Sequence, residues 1–99
     1  MRLTAEQRAI IREEVVNAFG PEATVRLFGS RLDDGKRGGD IDLHIEAAGS
    51  ADELLDRELA LHGRLQRRLG ERRVDVVVLS DGSPKRSIDT EAIRTGVAL

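Results

Sequence analysis

An α/β (α+β) fold, a small sheet covered by helices, is predicted from the sequence by three observations. Helical and extended patterns alternate along the chain; most helical patterns carry both a cap and a stop; and no segment repeats or falls into low complexity. Thr4 with Gln7 forms a capping box, and Ile11, Val15, Ala18 and Phe19 follow at helical spacing. A helix is therefore expected from about 5 to 19, stopped by Gly20-Pro21. The β-branched and apolar stretch "ATVRLFGS" reads as a short strand ending at Gly29. Ser30 with Asp33 is a candidate cap for one turn of helix, and "DDGKRGG" reads as a loop, with Asp33 and Asp34 as turn formers.

"DIDLHIEA" alternates cleanly. Ile41, Leu43, Ile45 and Ala47 face one way; Asp40, Asp42, His44 and Glu46 face the other. Ser50 and Glu53 form a second capping box, opening a helix that runs to Leu69 with Gly70 as its stop. "RRVDVVVLS" is a third strand, apolar on both faces except at Asp75. Ser83 as N-cap and Pro84 at the first helical position predict a last helix to about Thr95, ended by Gly96. In the helix from 51 to 69 the leucines span a wide arc that also takes in Glu58 and His62. Either Glu58 reaches an arginine, or this arc is partly exposed as a partner surface.

The bulk numbers narrow the function. The 99 residues fit one domain, 1–99, with an adequate core. A formal net charge of −2 argues against a nucleic-acid groove, because such affinity is mostly Lys and Arg meeting phosphate. Phe19 and Phe28 are the only aromatics, which also disfavours a base-stacking platform. Without cysteine there is neither a disulfide framework nor a thiolate metal site, and the default is a reducing compartment. No signal peptide is expected at the N-terminus and no stretch is long enough to span a membrane, so the expected location is the cytoplasm.

One feature of the second strand needs a cause. Two carboxylates on one face of a strand, two residues apart, lie about 6.6–6.8 Å from each other by the strand rise. At an effective dielectric of about 20 they repel by roughly 2–3 kcal/mol. Asp40 and Asp42 are such a pair, and Asp75 interrupts the most hydrophobic strand in the chain. If the last two strands are neighbours, all three carboxylates approach one another. Such a trio makes a poor core and a good site for hard divalent cations, which take oxygen ligands. Two Mg²⁺ ions held there would suit phosphoryl or nucleotidyl transfer. Gly29 permits close backbone approach to a ligand, and Ser30 at a helix start offers N–H groups and a hydroxyl to phosphate. Arg31, Lys36 and Arg37 follow in the loop and could screen a triphosphate. The bland alternatives are a solvated edge-strand face for Asp40 and Asp42, a pairing of Asp75 with Arg72 or Arg73, plain loop solvation for Lys36 and Arg37, and a surface histidine at His44.

Gly29-Ser30, nine intervening residues and then Asp40-Ile41-Asp42-Leu43 resemble the signature of the DNA polymerase β-type nucleotidyltransferase superfamily. Val74-Asp75-Val76-Val77 is similar to that family's third-carboxylate strand, and the tail "SPKRSIDTEAIRTGVAL" to its closing helix. Among its members the chain is most like the minimal nucleotidyltransferases (MNT), including the MNT antitoxins paired with HEPN-domain toxins. The resemblance implies a mixed sheet flanked by helices. Asp40 and Asp42 would bind two Mg²⁺ ions; Asp75 would serve one of them and assist deprotonation of the acceptor hydroxyl. Gly29 and Ser30 would hold the β- and γ-phosphates of ATP as nucleotide donor, with Arg31 and Gly39 beside them. Gly39 departs from the pattern, since many members carry Ser before the first Asp. The implied activity is transfer of AMP onto a hydroxyl of a partner protein, a HEPN-type toxin. Two other readings stand beside it: a silent antitoxin acting by contact, and a small-molecule nucleotidyltransferase whose pocket forms in a homo-oligomer.

Overall fold

The computed structural model describes residues 3–29, 40–70 and 72–99. Helix α1 (Ala5–Phe19) starts at Thr4, whose hydroxyl accepts from the Gln7 N–H while the Gln7 side chain accepts from the Thr4 N–H. Strands β1 (Thr24–Leu27) and β2 (Ile41–Ala47) follow, then helix α2 (Ala51–Leu69) behind the Ser50–Glu53 capping box. Strand β3 (Val74–Ser80), helix α3 (Ser87–Thr95) and the two-residue strand β4 (Val97–Ala98) complete the order.

The four strands form one sheet in the order β3-β2-β1-β4. β2 and β3 are parallel, linked through α2; β1 is antiparallel to both β2 and β4. The predicted mixed sheet flanked by helices is therefore observed. The apolar row Ile41, Leu43, Ile45 and Ala47 packs with Val25, Leu27 and Val74 against Ile11, Val15 and Phe19 of α1 and Leu54, Leu61 and Leu65 of α2. That layer is the core, and its alternation in β2 was readable in advance. Between α1 and α2 lies a buried carboxylate, Glu14, which accepts from Arg64 (2.5 Å) and Arg68 (2.8 Å). A buried carboxylate is costly unless paired and hydrogen-bonded, and here both conditions hold.

Two elements differ from expectation. The last helix begins at Ser87 rather than near Pro84. The Ser83 N–H is used by the Ser80 carbonyl, closing a turn after β3, and Asp89 accepts from the Arg86 N–H at 2.8 Å to start the helix instead. β4 was not anticipated, because two residues carry no period. It is held by pairing Val97 and Ala98 with Leu27 and Arg26. Among the described residues no helix is long and apolar enough to cross a membrane.

Candidate active site

The site is built on the sheet face opposite α1 and α2. Ile41 and Leu43 point into the core, so Asp42, between them, points to the other face by strand alternation. β2 is an inner strand, which removes the edge-strand explanation of its acids. In the parallel β2·β3 ladder Asp42 stands directly opposite Asp75. Residues opposite one another across a ladder share a face, with strands about 4.8 Å apart. Asp40 lies just before β2, one alternation step from Asp42. The register thus brings positions 40, 42 and 75 to one end of one face.

Gly29 completes the arrangement. The Phe28 N–H donates to the Asp42 carbonyl at 3.1 Å, carrying the β1–β2 pairing one residue past Leu27. Gly29 follows with φ +76°, in the region that favours glycine. A Cβ built there would stand 2.7 Å from Asp42 Oδ2. The backbone is pressed against the carboxylate so closely that no side chain fits between them. That contact gives Gly29 a structural reason. Ser30, Arg31 and Gly39, with Asp33, Asp34, Lys36 and Arg37, lie outside those residues.

The side chains do not yet close on one point. Among the described residues no three His, Asp or Glu groups are gathered as a ready metal cage. Asp75 approaches Arg73 at 3.6 Å, the pairing that the sequence offered as its bland alternative. With side chains 73% and 53% exposed, that pair is weak, and either partner can turn away at small cost. The donors therefore fit a hard cation by type and by backbone placement: carboxylate oxygens from two adjacent strands, with a glycine leaving the approach to Asp42 clear.

The rest of the polar row is satisfied internally. Glu46 accepts from Arg26 across β1 at 2.5 Å. His44 is not a surface histidine: it is fully buried under α3, with Nε2 2.8 Å from Asp89 Oδ1 and the Phe28 ring edge-on to it. Its Nδ1 is buried and meets no hydrogen-bond partner among the described residues. Asp89, also fully buried, is held well below the usual carboxylate range. The Arg86 guanidinium is the main cause, helped by the Arg86 N–H and His44 against the opposing effect of burial. This Arg86–Asp89–His44 chain fastens α3 to the strand that carries Asp42. Phe28, Arg86 and Asp89 are site neighbours that the sequence reading misses; His44 it admits as a neighbour through the face shared with Asp42, while favouring a surface histidine. The alternation that selects Asp42 also selects His44, but nothing in the sequence places α3 over it.

With this geometry in place, a family profile described as a nucleotidyltransferase domain matches residues 8–95. No curated protein matches the chain closely enough to count as a relative.

Proposed function

The chain belongs to the nucleotidyltransferase domain family, and on that premise we propose that it moves AMP from ATP onto a hydroxyl of a partner protein, with magnesium as the metal. The reading is carried by the in-register pair Asp42 and Asp75, with Gly29 pressed onto Asp42. In it, Asp40 and Asp42 would hold two magnesium ions and Asp75 would serve one of them. Magnesium bound there offsets the charge of the carboxylates and polyphosphate and favours ionisation of the acceptor hydroxyl.

The chain's own residues do the rest. Gly29, with the segment that follows it, receives the β- and γ-phosphates through backbone N–H groups, which need a close approach. Asp75 takes the proton of the acceptor hydroxyl as its oxygen bonds to the α-phosphorus. The bond from that phosphorus to the bridging oxygen breaks, and pyrophosphate leaves. Asp75 suits this role because it is on an edge strand and half exposed, where a bulky acceptor can reach it. A protein acceptor, and within that class a HEPN-type toxin for which this chain is the antitoxin, follows the resemblance to the MNT antitoxins. The cytoplasm, where ATP and such a partner meet, is the proposed setting.

The test is transfer of label from ATP labelled in its α-phosphate and adenosine to the HEPN-type partner in the presence of Mg²⁺. Label is expected on the partner with the wild-type chain, and a loss of at least ~100-fold is expected for Asp42→Asn. Full transfer by Asp42→Asn, or none by the wild-type chain, contradicts the reading.

A further inference from the structure

The side of α2 turned away from the core carries a pattern that the site does not use. Leu54, Leu61 and Leu65 are buried while Leu55 and Leu59 are 53% and 63% exposed, so the arc that the sequence left undecided is partly exposed, and no ion pair joins Glu58 to an arginine among the described residues. On the same stripe, at helical spacing, lie Asp52 and Asp56 toward one end, then Gly63, then Arg67 toward the other. Acids in the first turn and bases in the last suit the helix dipole, but the dipole explains neither the exposed leucines nor the glycine.

Gly63 costs about 1 kcal/mol relative to alanine within a helix. A Cβ there would meet only the mobile end of Arg67, at 3.6 Å, so packing inside the chain does not demand glycine. A bare position beside two exposed leucines lets another helix approach closely. Among the described residues Asp52, Asp56 and Arg67 form no ion pair, whereas Arg64 and Arg68 are engaged by Glu14 and Glu13.

We propose that this stripe is where a second copy of the chain docks, α2 against α2, antiparallel across a two-fold axis between the levels of Leu59 and Gly63. The charge order selects this occupant. Asp56 lies three positions before Leu59 and Arg67 four after Gly63, so antiparallel pairing sets each copy's Asp56 near its mate's Arg67, twice. Leu59 of each copy then covers Gly63 of the other, and Leu55 lies one turn further along, level with the stem of its mate's Arg67. A parallel arrangement would set acid on acid. The stripe is on the sheet face opposite Asp42 and Asp75, so pairing leaves that site open, and the inference stands independently of the proposed activity.

Sedimentation velocity on the full chain over a concentration series tests it. A monomer–dimer equilibrium with Kd on the order of 1–100 µM is expected. Leu55→Glu with Leu59→Glu should abolish it, and Asp56→Arg or Arg67→Asp alone should weaken it about tenfold. The double variant Asp56→Arg with Arg67→Asp should restore it, which misfolding cannot do. A wild-type chain that stays monomeric overturns the proposal, as does a double charge swap no better than the single ones.

Discussion

Gly29 is the residue whose role is most local and most easily tested. Its φ of +76° strains any L side chain, and the 2.7 Å approach to Asp42 Oδ2 means an added methyl must displace the carboxylate. Gly20 is a natural control, because its φ is also positive, at +97°, but a Cβ there meets nothing within 4 Å. Gly29→Ala and Gly20→Ala should both lower stability by about 1–2 kcal/mol in denaturant titrations. Only Gly29→Ala should reduce nucleotide transfer, by roughly tenfold or more, because only there does the methyl move Asp42. Equal activity of the two variants contradicts the account of the Gly29–Asp42 contact.

At the level of elements, two buried ionic clusters hold the helices to one another and to the sheet. Asp89 ties α3 to β2 through His44, and Glu14 ties α1 to α2 through Arg64 and Arg68. The Arg64 hydrogen bond, with Arg68 assisting against burial, lowers the Glu14 carboxyl from 4.5 to about 2. A folded-state value below the unfolded one adds stability above the unfolded pKa, and that stability is lost as pH falls through the folded pKa. The contribution should thus be complete above pH 4.5 and fade toward about 2. Its size is on the order of 2 kcal/mol, allowing for arginines that are partly exposed. Glu14→Gln should therefore be less stable than the wild type at neutral pH, with the gap closing as the solution is acidified. A gap independent of pH contradicts this source of stability.

How far the elements were legible follows the same physics. α1, β2 and α2 announced themselves because their periods are long and their caps explicit, and the structure starts α1 and α2 at the capping boxes read from Thr4 and Ser50. The start of α3 was misread because Ser83-Pro84 is locally a good cap, while the observed start depends on Asp89, whose main-chain and side-chain partners are set by the fold. The burial of His44 was hidden for the same reason. Alternation gives a face, not what covers it.

Across the whole molecule the two sheet faces have divided labour. One, under α1 and α2, is the apolar core. The other carries Asp40, Asp42 and Asp75 at one end and the Arg86–Asp89–His44 tie further along β2. Sequence reading reached Asp40, Asp42 and Asp75 because like charges on one strand face are expensive, so their presence asks for a partner. The sheet order then made Asp42 and Asp75 neighbours, which alternation alone leaves open. Isothermal titration calorimetry of Mg–ATP against the wild-type chain, Asp42→Asn and Asp75→Asn addresses this arrangement most directly. Saturable binding by the wild type that needs Mg²⁺ and weakens at least ~tenfold in each variant is the expected result. Binding of equal strength in all three proteins, or no Mg–ATP uptake by the wild type, would contradict it.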